Sequence, residues 1–288
     1  MSVVRFAVTT VVFSCLAILA CSRPPLQLER AAAPAEVPAP ALAAVTQLTS
    51  AAPTVATVDE PLAEPSCPSG MILVEGEYCP NVEQKCLRWL EPPGDPYEHF
   101  RCAEYAKPAT CKGKRVHERF CIDETERVEA GSDLPMNRKS WTDATHVCEA
   151  AGARLCMTSE WQFACEGEEM RPYPYGWERD SQACNVDVMT GLGRVGRLVD
   201  HRTPASAHPR CVSPFGVHDM SGNVDEWATV DGAPRGKREV MKGSWWLPGR
   251  HACRSFQGGH GASYGGTESG VRCCASASAP LNVASRSE

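Results

Sequence analysis

The stretch Pro214-Phe-Gly-Val-His-Asp-Met-Ser-Gly-Asn-Val-Asp-Glu-Trp227 sets two glycines, an asparagine and an acid pair ahead of a single indole. Gly216 and Gly222 suit tight turns, and Asn223 and Glu226 offer oxygens on either side of a bend before the apolar anchor Trp227. By itself this is a polar turn locked onto a core. A second indole-rich turn, Lys242-Gly-Ser-Trp-Trp246, echoes it downstream.

Working outward, Arg154-Leu-Cys-Met-Thr-Ser-Glu-Trp161 lies upstream and Gly270-Val-Arg-Cys273 downstream. With these phrases the chain resembles the formylglycine-generating enzymes, also called sulfatase-modifying factors. Their usual phrases, RLPTEAEWEYA, YPWG, G-[VL]-x-DMxGNVWEW, GGSW and GFRC, appear here in the same order. Trp161, Gly222, Trp227, Ser244, Trp245 and Arg272 are its structural motif residues. The resemblance implies an α+β fold, the sulfatase-modifying-factor variant of the C-type-lectin-like fold, with short strands, two main helices and long ordered loops. One departure stands inside the motif: Asp225 replaces the first Trp of WEW.

Two helices are legible. Ser140 heads a segment with Ala144, Val147, Cys148 and Ala151 at helical spacing and Gly152 at its end. A second helix starts at Thr158, whose hydroxyl is expected to cap the first turn, and turns Phe163 and Ala164 inward. Cys67-Pro-Ser-Gly-Met-Ile-Leu-Val74 looks like the family's first strand, and Phe120-Cys-Ile-Asp123 matches a later one.

At the other end, Arg5 precedes an apolar run from Phe6 to Ala20, and Ile18-Leu-Ala-Cys21 follows the pattern of a bacterial lipobox. Residues 1–20 read as an export signal too short for a membrane span. Lipid on Cys21 would make the protein an exported, membrane-anchored lipoprotein of a bacterial cell envelope, facing the periplasm or exterior. Residues 21–66, rich in Ala and Pro, read as a disordered tether without aromatic anchors. Residues 67–276 form the expected folded domain, with a Cys-rich insertion over about 80–115, and 277–288 read as a disordered tail.

The chain carries 16 Cys. Apart from Cys15 and Cys21, they are an even set running from Cys67 to Cys274, which in an exported protein reads as a disulfide framework. Cys148, Cys156, Cys165, Cys184, Cys211, Cys253, Cys273 and Cys274 are candidates. Adjacent Cys273 and Cys274 should take different partners, because a bridge between neighbours strains the peptide between them.

Several functions are disfavoured. A net charge of −6 without a basic cluster argues against nucleic acid. The sequence has no Cys-x-x-Cys pair and no His-Glu-x-x-His motif. Gly191-Leu-Gly-Arg-Val-Gly196 follows no apolar strand and precedes no amphipathic helix, so it fails as a dinucleotide site.

The resemblance implies two metals. Calcium takes six to eight oxygens from loops like these. Asn223 and Glu226 match one family site; Asn185, the carbonyl of Val186 and Asp200 match another. Copper would serve the catalytic members, which oxidise a client Cys with dioxygen and hold Cu(I) on two thiolates. Those thiolates follow the Ser of GGS by about three and eight residues. Here the positions are Leu247 and Ala252, and Cys253 misses the second by one. Cys253 then reads as a disulfide partner for Cys273 or Cys274. The iron triad of the related sulfoxide synthases is absent as well. The first expectation is a non-catalytic module whose loops, around 185–213 and 246–268, bind a protein, peptide or glycan. The alternative is a copper-dependent oxidoreductase with Cys253 as residual ligand. A free Cys253 thiol separates them.

Overall fold

A computed structural model describes residues 66–190 and 198–278. The leader, Cys21, the tether up to residue 65, the Gly191–Gly196 stretch and residues 279–288 lie outside the described residues.

β1 (Met71–Tyr78) and β6 (Val116–Asp123) pair antiparallel along their full length, Met71 opposite Asp123 and Tyr78 opposite Val116. β11 (Cys273–Ser276) adds to β6, and the two-residue β7 (Arg154–Leu155) adds to β11, giving the order β1-β6-β11-β7. A second sheet sets β8 (Asp225–Thr229) between β9 (Glu239–Lys242), antiparallel, and β10 (Ser269–Gly270), parallel. Between β1 and β6 the chain makes two small antiparallel pairs, β2 (Val82–Glu83) with β5 (Thr110–Cys111) and β3 (Cys86–Trp89) with β4 (Cys102–Tyr105). Cys79–Cys111 and Cys86–Cys102 close them.

α1 (Trp141–Ala150) begins at a reciprocal cap: Ser140 Oγ accepts from Asp143 N at 3.0 Å, and the Asp143 carboxylate accepts from Ser140 N at 3.0 Å. α2 (Thr158–Glu166) corrects the expected cap. The Thr158 hydroxyl donates to Asp231, and it is Glu160 that takes the free Met157 N–H, at 2.8 Å.

Each helix buries a different cluster. Trp161, Phe163 and Ala164 of α2 pack with Val74, Tyr78, Phe120 and Ile122 of the β1-β6 pair. Ala144 and Cys148 of α1, one turn apart, pack with Leu155, Trp227, Met241 and Val271. Successive side chains of β11 alternate faces, so Cys273 reaches Cys148 on α1 while Cys274 reaches Cys156 beside α2. All 14 cysteines among the described residues are bridged, the remaining pairs being Cys67–Cys121, Cys165–Cys253 and Cys184–Cys211. Cys253 is therefore bridged, but to Cys165 rather than to Cys273 or Cys274, whose valences α1 and the β7–α2 turn already take.

Candidate binding cleft

The motif turn encloses a buried ion pair. Arg272 Nη2 and Nε donate to Glu226 at 2.7 and 2.8 Å, Trp161 Nε1 donates to the same carboxylate at 2.6 Å, and neither Arg272 nor Glu226 is exposed. Arg272 also donates to the Asp123 and His218 carbonyls, each at 2.8 Å. Asn223 sits apart from this pair. Its Nδ2 donates to Glu126 at 2.7 Å, and its Oδ1 accepts from Asn185 Nδ2 and Thr203 N, both at 2.9 Å. Burial, then the charge of Asp219, pushes the Glu126 carboxyl well above the usual range.

These contacts bear on how well the expected calcium ligands suit the ion. Glu226 cannot share a calcium ion with Asn223 while its oxygens are filled by a guanidinium and an indole N–H. In the other set, Asp200 is held by Arg202 at 2.8 Å, which keeps its pKa low, and the Asn185 side chain is spent on Asn223 and the His201 carbonyl. Val186 is buried beside Gly222. Neither donor set fits a hard cation, because each pairs its acid with an arginine. Gly222 has φ +86°, and a Cβ there would collide with the Asn185 carbonyl and Val186.

Past β9 the chain turns at Ser244, with φ +63°. Trp246 is the buried member of the indole pair, while the half-buried Trp245 faces a cleft; the sequence motif had made Trp245 the structural one. Arg179 clamps the loop that follows. It pairs with Asp187 at 2.8 Å and donates to the Gly249 and Arg250 carbonyls, each at 3.1 Å. It also donates to His251 Nδ1 at 2.7 Å, so the imidazole's other nitrogen, Nε2, carries the proton and donates to the Trp245 carbonyl at 2.8 Å. Burial first, and then the Arg179 charge, brings the His251 pKa down to about 4. Asp187, Asn223, Ser244 and His251 all hold positive φ, a concentration of left-handed non-glycine backbone around this loop.

His251 makes stability acid-sensitive. The unfolded chain binds its proton below about 6.5 while the folded chain resists until about 4. Stability should therefore fall as pH drops through that window, by roughly 2–4 kcal/mol at about 1.4 kcal/mol per pK unit. Urea unfolding of His251→Gln against wild type at neutral pH and near pH 4 checks this: any constant cost of the swap cancels, and parallel curves would mean the imidazole is charged in the fold.

The cleft itself has a volume of about 350 Å³, and Asp225, Ser244, Trp245, Arg250 and Phe256 line it together with Phe100 from the Cys-rich segment. Arg254 ties that segment to α2 by pairing with Glu166 at 2.6 Å and donating to the Cys79 carbonyl at 2.5 Å. Leu247 is partly buried nearby, and Cys253 is fully buried in its bridge to α2. Two thiolates for copper are not present in this loop, so that metal does not fit either.

The model of the sulfatase-modifying factor enzyme 1-like domain matches residues 87–277. The chain belongs to that family. The α+β architecture, with its two helices, short strands and long bridged loops, is the sulfatase-modifying-factor fold. An "inactive C-alpha-formylglycine-generating enzyme 2" from Mus musculus is 28% identical over 159 residues, 51% of each chain. A hercynine oxygenase from Mycobacterium tuberculosis is 31% identical over 147 residues, 49% of this chain and 31% of the relative. This chain thus spans about half the length of the first of these relatives and under a third of the second. The solved structure of CarF aligns over 72% of this chain and 97% of its own, with 16% identity and a TM-score of 0.48. The seven bridges place this family member in an oxidising, exported setting. Among the described residues no helix is long and apolar enough to cross a membrane.

Asp225 is the functional candidate that motif reading missed. It entered the sequence reading as a missing Trp, whereas the structure buries it on the floor of the cleft. The signal was the acid itself, placed where an apolar residue was expected.

Proposed function

We propose that this protein is an exported, non-catalytic binding module, held at a membrane by lipid on Cys21, whose cleft engages a protein or peptide segment. One observation carries the reading: the loop that would hold the thiolate pair has Leu247 and a bridged Cys253, yet the cleft beside it remains open. Its walls suit recognition, since aromatic side chains contribute large contact area at small entropic cost. Exposed Trp89 and Tyr97 extend the apolar surface beyond it. The likeness to a relative named as inactive supports the same reading.

Two assays on the purified mature protein test it. A Cys-containing peptide supplied with Cu(I) and dioxygen should show no conversion to the aldehyde; turnover would overturn the non-catalytic reading. A displayed random-peptide library should yield saturable binders whose affinity Trp245→Ala lowers about tenfold or more, the loss typical of a central aromatic anchor. Binding confined to a glycan array would reassign the ligand class.

A further inference from the structure

This inference rests on the peptide-binding reading and specifies the ligand's chemistry. Asp225 is 1% exposed, and its Oδ2 is the one buried carboxylate oxygen among the described residues without a hydrogen-bond partner. Every other deeply buried acid around it is engaged: Glu226 by Arg272 and Trp161, Glu268 by the Tyr264 hydroxyl at 2.6 Å, and Glu126 by Asn223. The Ser244 N–H holds this carboxyl from the backbone, but leaving its second oxygen buried and unfilled costs free energy, so an orphan of this kind in a cleft points to a partner from outside.

We propose that the cleft receives a cationic side chain, the ammonium of lysine or the guanidinium of arginine in a partner peptide, against Asp225. The Trp245 and Phe256 rings then lie along its methylenes. Three features favour a cation over a neutral or anionic group. Burial first, and then the nearby charge of Glu268, push the Asp225 carboxyl well above its usual range, a penalty that a cation seated against it would relieve. The walls present aromatic faces, which attract cations once water is excluded. The cleft's own cation, Arg250, lies over the Phe100 ring at 5.0 Å rather than on Asp225, so the acid stays available. Arg250 marks the rim, where it can take a carbonyl or an acidic neighbour of the bound residue.

The test uses two capped pentapeptides, Gly-Gly-Lys-Gly-Gly and its norleucine counterpart, titrated into the mature protein while the Trp245 indole resonance is followed by NMR. The lysine peptide should bind at least about tenfold more tightly, the ratio set by roughly 1.4 kcal/mol. In the isosteric Asp225→Asn that ratio should collapse towards one, whereas Trp245→Ala, read by titration calorimetry because the reporting indole is gone, should weaken both peptides together. Equal binding of the two peptides to wild type would overturn this inference and leave the peptide-binding reading standing. A lysine preference that survives in Asp225→Asn would place the cation elsewhere and also overturn it. If neither peptide moves the resonance at millimolar concentration, both the inference and the peptide reading fall.

Discussion

Arg272→Ala should destabilise the domain by about 3–5 kcal/mol, the cost of leaving one half of a buried pair without its partner. The guanidinium makes four hydrogen bonds, two to Glu226 and one each to the Asp123 and His218 carbonyls, and it ties β11's entry, β6's end and the motif turn to one point. Its charge also counts beyond Glu226. Asp123, Glu126 and Asp219 all have carboxyl pKa values raised mainly by burial, and Arg272 is among the groups that draw each of them back down. Without it, folded-state pKa values rise further. Stability held by protonated carboxyls is fully present at low pH and lost as pH rises through the folded pKa, so the variant's deficit should be larger at neutral pH than near pH 5. Arg272→Met combined with Glu226→Gln should recover a substantial part of the loss, since no unpaired charge remains. Urea unfolding of the single and double variants at both pH values reads each statement. A loss under about 1 kcal/mol for the single variant would show that the pair does not hold the turn.

The order of motifs made the fold legible, because each phrase encodes a local necessity. The Ser140 cap, the helical spacing of Ala144 and Cys148, and the Trp227 anchor are all written within a few residues and were recovered in place. What failed was pairing at a distance. Glu226 looked like a metal ligand because its partner lies 46 residues downstream, and a local reading of oxygen donors cannot see a guanidinium brought in by β11. Cys253 presented the same difficulty: its partner Cys165 is 88 residues upstream, on the buried face of α2, and nothing in the spacing distinguishes it from Cys273. Thr158 was misread at short range, because Asp231 competes for its hydroxyl from 73 residues away. The cleft was legible only as a set of loops. Its floor, Asp225, is read from burial and an unfilled oxygen, which are properties of packing.

Removing the Cys165–Cys253 bridge should cost about 2–4 kcal/mol and leave binding intact. An isolated 88-residue loop would give a larger entropic term, about 4–5 kcal/mol in the chain-entropy model. This bridge, however, is nested inside Cys148–Cys273 and Cys156–Cys274, which already restrict the unfolded chain. Both sulfurs are fully buried in the cluster of α2 and the β1-β6 pair, so Cys165→Ala with Cys253→Ala also loses some packing there. The cleft should survive, because Arg179, His251 and Arg254 hold its loop independently of the bridge. Thermal unfolding of the double variant, with its peptide affinity measured alongside, separates the two possible roles of Cys253. A bridge that is only structural predicts a lower Tm and unchanged affinity. The single Cys165→Ala sharpens the contrast, since it frees Cys253 without supplying a second thiolate: it should lose the same stability and gain no Cu(I) site, because Leu247 offers copper nothing. Alkylation of Cys253 in the undenatured wild-type protein, or Cu(I) held by that variant in competition with a chelator, would restore the oxidase reading.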